Sequence, residues 1–161
     1  RQATEGYWSA YWWQSRYYVL PRILRLMAVR REEAYSQAFT RAFDWLWDGR
    51  SREGWWSNGI DVGTPCLLST CWALEALVSV GRGRLDLHRT LDWLLSRQDA
   101  DGGWTAEACL RIPPPNETDP DRHVYRRQGL GVGSVSIDDA RIYGSSTALA
   151  VIRQAVQSDR R

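Results

Sequence analysis

A segment of sixteen residues occurs twice in the chain, and this repeat limits the folds that the sequence can adopt. The two copies, Arg41–Trp56 and Arg89–Trp104, align without a gap and begin 48 positions apart. Identical residues are found at Arg41/Arg89, Asp44/Asp92, Trp45/Trp93, Leu46/Leu94, Gly54/Gly102 and Trp56/Trp104. Because two of the matched positions hold tryptophan, chance is a poor explanation, and we expect a chain built from stacked units.

Each copy of the repeat is predicted to be a helix followed by a tight turn. The helical parts, Ala34–Trp47 and Leu85–Arg97, place apolar residues at steps of three and four. The glycine of each turn allows a positive φ, and the tryptophan two residues later is predicted to fold back onto the helix before it. The residues assigned to this structural role are Trp45, Gly54, Trp56, Trp93, Gln98, Gly102 and Trp104.

Three other segments are predicted to be buried inner helices. Thr64–Val80 and Tyr143–Val156 are apolar almost all round, and the third inner helix is predicted within Tyr17–Val29. The predicted order is inner, outer, inner, outer, inner, with no convincing strand. The fold class is therefore all-α: an α-α toroid, part of an (α/α)6 barrel. A closed ring of this kind needs about six helical hairpins, so residues 1–161 are predicted to form one partial barrel domain.

Composition excludes several classes of function. The net charge of +2 is too small for a surface that binds nucleic acid. No apolar run is long enough to span a membrane. Three cysteines without a CxxC pair and two distant histidines predict no metal site and a cytoplasmic protein.

A long connection, residues 105–140, separates the second repeat from the last inner helix. It is rich in proline and glycine and far exceeds an ordinary loop. Two interpretations stay open: a surface strap across the barrel end, or a segment beside an active-site entrance.

The repeats resemble the QW repeat of the terpene cyclase and protein prenyltransferase superfamily. Arg89, Trp93, Leu94, Gln98, Gly102 and Trp104 match the family pattern, whereas Arg50 replaces the glutamine in the first copy. The opening GYWSAYWWQSRYYVL resembles an inner-helix segment of bacterial class II diterpene cyclases and squalene–hopene-type cyclases. The resemblance covers essentially the whole chain and identifies it as the C-terminal half of a class II cyclase β-type domain.

This resemblance implies an isomerase that protonates a polyprenyl chain and stabilises the resulting carbocation with aromatic rings. The implied substrate is a polyprenyl diphosphate, such as geranylgeranyl diphosphate giving a copalyl-type product, or a polyprene. No cofactor is implied, although Mg²⁺ could accompany a diphosphate. The aromatic residues assigned to the substrate cavity are Trp13, Tyr17, Trp72 and Tyr143, with ordinary core packing as the alternative.

The family's catalytic acid is the middle aspartate of a DxDD motif, which this chain lacks. The nearest string contains Asp138 and Asp139, which are the candidate acids. Helix capping or a solvated loop is the other interpretation of this pair. Since the family motif lies upstream of such a segment, we expect residues 1–161 to be inactive alone. The remaining barrel, in the same gene product or a partner chain, is expected to supply the acid.

Two other functions stay open. The first is a non-enzymatic α-α toroid module for binding or assembly. The second is a β-type subunit of a protein prenyltransferase, which requires a zinc site of Asp, Cys and His. An acid-bearing segment upstream would favour the cyclase over the binding module.

Overall fold

The computed structural model describes residues 2–30, 32–81, 87–126, 129 and 131–159. Within them the helices are α1 (Leu20–Arg30), α2 (Glu33–Asp48), α3 (Leu67–Val80), α4 (His88–Ser96) and α5 (Ile142–Asp159). Helices α1 and α5 both pack extensively on α3, while α2 contacts α1 and α4 contacts α3. The inner helices therefore lie side by side with outer helices behind them, which confirms the toroid-type fold. The predicted start of the second outer helix, Leu85, lies outside the described residues.

Helix α3 forms the centre of the core. Its side chains Leu68, Leu74 and Leu77 are at most 1% exposed, and most of the helix is buried on every side. An apolar sequence without a polar face is stable only where neighbours cover the whole circumference. The position of α3 between two inner helices and one outer helix provides that cover.

The first inner helix lies where the sequence predicts it, within Tyr17–Val29 apart from its last residue. It begins at Leu20 and ends at Arg30. The Ser15 hydroxyl accepts a hydrogen bond from the Tyr17 amide at 3.1 Å, which holds a turn ahead of the helix. Pro21 then lies in the first helical turn, where its missing N–H leaves no hydrogen bond unmade.

The long connection contains a small sheet, so the prediction of no strand was wrong. Strands β1 (Leu110–Ile112) and β2 (Ser134–Ser136) are antiparallel. An isolated bridge between Trp13 and Leu110 extends the pairing to the N-terminal segment. Buried backbone groups need partners, and this pairing supplies them for a connection that packs against the rest of the chain.

The two repeat turns are built alike. Trp56 Nε1 donates to the Leu46 carbonyl at 2.7 Å, and Trp104 Nε1 donates to the Leu94 carbonyl at 2.7 Å. Each tryptophan thus folds back onto the outer helix before it. The backbone amides of the same tryptophans donate to the next inner helix, at Thr70 Oγ1 and Ser145 Oγ, both at 3.0 Å.

The glycine of the first turn allows a close approach between repeats. Gly54 has a φ of 96°, and a β-carbon there would lie 2.7 Å from the backbone nitrogen of Thr90 in α4. Arg50, which replaces the glutamine of the pattern, donates through Nη2 to Thr90 Oγ1 at 3.1 Å. In the second turn Gln98 instead donates to its own Gly102 carbonyl at 2.8 Å.

A third turn of the same kind lies near the start of the chain. Gly6 has a φ of 117°, and a β-carbon there would lie 2.4 Å from the Arg41 carbonyl oxygen in α2. Gly6 and Trp8 precede Gly54 and Trp56 by the same 48 positions that separate the two longer copies. The sequence comparison missed this turn because it was anchored on the helical half of the repeat.

Candidate functional site: an aromatic cluster on the inner helices

Four aromatic rings meet at the N-terminal ends of the inner helices. Trp13 stacks on Tyr18 and on Tyr143, with centroid separations of 4.4 and 5.4 Å. Trp72 meets Trp13 edge to face at 5.4 Å and Tyr18 at 5.1 Å. These separations are in the range in which aromatic pairs attract one another beyond their burial. We call this group the four-ring cluster.

Each ring of the four-ring cluster comes from a different part of the fold. Trp72 lies in α3 and is 1% exposed, whereas Tyr143 lies in the first turn of α5 and is 38% exposed. Tyr18 is in the turn before α1, and Trp13 is in the N-terminal segment that pairs with β1. The cluster therefore runs from the core to an open surface.

The phenol of Tyr143 is held in its neutral form. Partial burial, followed by the neighbouring Tyr18, raises the pKa of Tyr143 above its ordinary value. The phenol is therefore neutral at ordinary pH. Such a ring attracts a cation through its quadrupole.

Tyr17, which was predicted with this group, lies elsewhere. Its ring stacks on Trp45 of α2 at 4.5 Å and is 2% exposed. Burial raises the pKa of its phenol well above the ordinary range. Tyr17 and Tyr18 are adjacent in a turn and face opposite sides, so Tyr18 takes the place that the sequence assigned to its neighbour.

A groove of about 280 Å³ runs beside the four-ring cluster between α1, α3 and α5. Trp72 and Tyr143 line one part of it, and Arg22 and Glu75 line another. The guanidinium of Arg22 lies 3.8 Å from the Glu75 carboxylate and 4.9 Å above the Tyr18 ring. The groove thus offers aromatic faces next to an exposed ion pair, which suits an apolar ligand with a polar or charged part.

The candidate acids lie outside this groove. Asp138 Oδ2 accepts a hydrogen bond from the Gly144 amide at 2.7 Å, so this carboxylate caps the first turn of α5. Asp139 is exposed to solvent. A catalytic acid that stays protonated at neutral pH needs a sequestered site, and an exposed carboxylate does not have one.

The family of this chain follows from the match of more than half of its residues to one known family. Residues 14–112 match the family described as squalene-hopene cyclase C-terminal domain. The chain belongs to this family. No curated protein sequence matches it.

Solved structures show that this member of the squalene-hopene cyclase family shares the fold of type II terpene cyclases. Apo MstE from Scytonema is 22% identical, with a TM-score of 0.83 over 98% of this chain and 49% of that chain. An MstE variant described as bound to geranylgeranyl dihydroxybenzoate, its substrate, is also 22% identical, with a TM-score of 0.84 over 98% and 47%. A protein from Actinoplanes is 24% identical, with a TM-score of 0.75 over 96% and 47%. The cyclase-family chain thus spans about half the length of these proteins.

A second cavity of this family member, about 560 Å³, lies at the N-terminal end of α3. Glu107 lines it and accepts a hydrogen bond from the Leu67 amide at 2.7 Å, which caps α3. Burial, helped by Glu107, raises the pKa of the Cys66 thiol to about 12. Cys66 is therefore protonated at neutral pH and is not a nucleophile.

Among the described residues, no group of three or more His, Cys, Asp and Glu side chains could hold a metal ion. Over the same residues, no helix is long and apolar enough to cross a membrane.

Proposed function

We propose that the chain forms one wall of a class II terpene cyclase barrel and that its four-ring cluster stabilises a carbocation. The observation that carries the proposal is the meeting of four aromatic rings beside a groove that the inner helices line. Aromatic faces attract cations by about 2 kcal/mol when water is excluded. Membership of the squalene-hopene cyclase family supports this role.

The proposed ligand is an isoprenoid. The complexes of MstE hold geranylgeranyl dihydroxybenzoate as substrate and merosterolic acid A as product. These ligands support the proposal that the present chain also binds an isoprenoid. We propose a polyprenyl diphosphate, such as geranylgeranyl diphosphate giving a copalyl-type product, or a polyprene. Mg²⁺ could accompany a diphosphate substrate, and no other cofactor is proposed.

The catalytic acid is proposed to lie on the rest of the barrel. The sequence contains no DxDD string, and Asp138 is engaged as a helix cap. The related structures are about twice as long as this chain. Protonation by one half and cation stabilisation by the other would divide the reaction between two walls of one cavity.

Uncovered surfaces support a missing wall. Helix α5 exposes Ile142, Leu149 and Val156, which recur every seven residues and form one stripe along the helix. Helix α1 exposes Leu26 and Val29 on its own free side. We propose that further inner and outer helices cover both stripes.

The third turn supports the same proposal. The indoles of Trp56 and Trp104 each donate a hydrogen bond to a carbonyl of the preceding outer helix. Among the described residues, no carbonyl accepts such a bond from the half-buried Trp8 indole. We propose that the carboxyl end of another outer helix packs on Trp8. Replacing Trp8 by alanine should then weaken assembly with the remaining barrel more than it weakens the fold of residues 1–161.

The experiment compares two ligands that share the farnesyl chain and differ in the charge of the head group. Residues 1–161 are titrated with protonated farnesyl-dimethylamine and with neutral farnesol, and tryptophan fluorescence reports binding. We expect the ammonium to bind about tenfold more tightly, because the rings attract its charge. The substitution Trp72→Ala should remove this preference, while Trp12→Ala, at a side chain that is 51% exposed, should retain it. Equal binding of the two ligands would contradict cation stabilisation and favour the binding module.

A further inference from the structure

Arg111 in β1 is buried although it belongs neither to a repeat turn nor to the four-ring cluster. Its side chain is 1% exposed, and it is one of the largest fully buried side chains of the fold. A guanidinium withdrawn from water costs stability unless hydrogen bonds replace its hydration. Its bonding partners therefore indicate what it does.

The side chain of Arg111 binds the backbone of the N-terminal segment. Its Nη2 donates to the Ala10 carbonyl at 2.6 Å, and its Nε donates to the Tyr11 carbonyl at 2.9 Å. Its backbone amide donates to the Trp12 carbonyl at 2.9 Å. One residue thus engages three consecutive carbonyl groups.

The other edge of the guanidinium is tied to the long connection. Nη1 of Arg111 donates to the Pro120 carbonyl at 3.0 Å and lies 2.7 Å from Asp121 Oδ1. Asp121 also accepts a hydrogen bond from the Ser9 hydroxyl at 2.9 Å. Arg111 therefore joins residues 9–12 to the connection through a planar fork, a geometry that lysine does not reproduce.

The residue that follows these carbonyls is Trp13. Trp13 pairs with Leu110, and the next amide, that of Gln14, donates to the Cys109 carbonyl at 2.8 Å. The Trp13 ring contacts all three other rings of the four-ring cluster, yet it lies on no helix. The position of this ring therefore depends on how the N-terminal segment is held.

We propose that Arg111 is a positioning residue, which fixes the backbone before Trp13 so that the indole holds the groove-lining rings of Trp72 and Tyr143 in place. Ligand binding in that groove rests on the proposed function, whereas the positioning of Trp13 rests on the geometry alone. A buried ion pair is weak support for a purely stabilising role, since well-packed apolar residues often serve as well. The guanidinium orients the Ala10 and Tyr11 carbonyls, which an apolar side chain could not do, whereas the bond to the Trp12 carbonyl comes from the backbone amide and would remain.

The test uses residues 1–161 with Arg111→Met, Arg111→Lys and Trp13→Ala. Arg122→Met is the matched control, because Arg122 lies in the same connection with a side chain that is 89% exposed. Circular dichroism measures the exciton couplet of the Trp13–Trp72 pair and, separately, the helical signal. Titration with protonated farnesyl-dimethylamine measures affinity.

We expect Arg111→Met to lose the couplet to the level of Trp13→Ala and to retain the helical signal. Its affinity for the ammonium should fall about tenfold, because the groove-lining rings of Trp72 and Tyr143 lose the indole that both of them contact. Arg111→Lys should give intermediate values, and Arg122→Met should match the unsubstituted chain. If the unsubstituted chain does not bind the ammonium, the proposed function fails, and the couplet still tests the positioning.

Two results would overturn the proposal. One is an unchanged couplet and affinity in Arg111→Met, which would show that Trp13 is held without the guanidinium. The other is a loss of helical signal in proportion to the couplet, which would make Arg111 a general stability residue. If Arg111→Met fails to fold, Arg111→Lys decides: an unchanged couplet and affinity there would contradict the need for the planar fork.

Discussion

Helices α3 and α5 follow the same kind of turn, yet their surroundings differ. In both helices a hydroxyl, of Thr70 or of Ser145, accepts a hydrogen bond from the backbone amide of the preceding turn tryptophan. Helix α3 is buried almost all round, whereas α5 buries one side and exposes the stripe of Ile142, Leu149 and Val156. The difference lies in the neighbours: α3 has an inner helix on each side, whereas within the described residues α5 packs extensively on one inner helix, α3. Burial of an inner helix is therefore a property of its position in the ring, and the apolar sequence of α5 indicates a neighbour that α3 already has.

The largest effect is expected from removing the turn tryptophans, which tests whether the two turns stabilise the fold equally. Trp56→Ala and Trp104→Ala should each reduce the free energy of unfolding by about 3–5 kcal/mol, because each removes a buried ring and its bond to an outer helix. Urea denaturation of the two variants measures the loss. A much smaller effect for Trp104 than for Trp56 would show that the turn before α5 contributes less than its geometry indicates.

Two leucine substitutions, one in α3 and one in α5, measure how far each helix is enclosed. Leu74→Ala in α3 removes a fully buried side chain and should lower the free energy of unfolding by about 2–5 kcal/mol. Leu149→Ala in α5 changes a side chain that is 56% exposed, and should alter it by less than about 0.5 kcal/mol in residues 1–161. Equal losses at the two positions would mean that α5 is enclosed after all.

The polar contacts between turn and inner helix should give a smaller effect. Thr70→Val leaves the buried Trp56 amide without its acceptor and should cost about 1–3 kcal/mol. Ser145→Ala does the same to the Trp104 amide in a partly exposed setting, where water can replace the hydroxyl, so its cost should be lower. Thermal melts of both variants rank the two contacts, and the reverse order would contradict the difference in enclosure.

The smallest expected effect concerns pH. The hydrogen bond from Arg141 lowers the pKa of Asp101 to about 2 and ties the segment before α5 to its turn. Because the folded-state pKa is below the ordinary value, the stabilisation is present above about pH 4 and is lost as pH falls towards 2. Asp101→Asn should flatten this part of the stability–pH curve slightly. If Asp101→Asn and the unsubstituted chain gave the same curve, the Arg141–Asp101 interaction would not contribute to stability.

The sequence predicts the helices well because their period repeats locally. It misses strands β1 and β2 because they pair with each other across a long loop, and β1 also bridges to the N-terminal segment. Neither strand has a local sequence signal of its own. It places Tyr17 at the candidate site instead of Tyr18, because a turn before α1 decides which of two adjacent rings faces inwards. It could have found Trp8, which recurs at the repeat spacing, but not the buried position of Arg111, which depends on contacts far along the chain.

If residues 1–161 form a partial barrel wall, the apolar stripes of α1 and α5 are covered by other helices only in the complete barrel. Light scattering of this chain alone, with a dye that fluoresces on exposed apolar surface, measures whether they are uncovered. We expect association or strong dye binding, which should be reduced when Leu149 is replaced by glutamate and suppressed when the remaining barrel segment is co-expressed. A folded monomer that binds no dye would contradict a partial barrel wall.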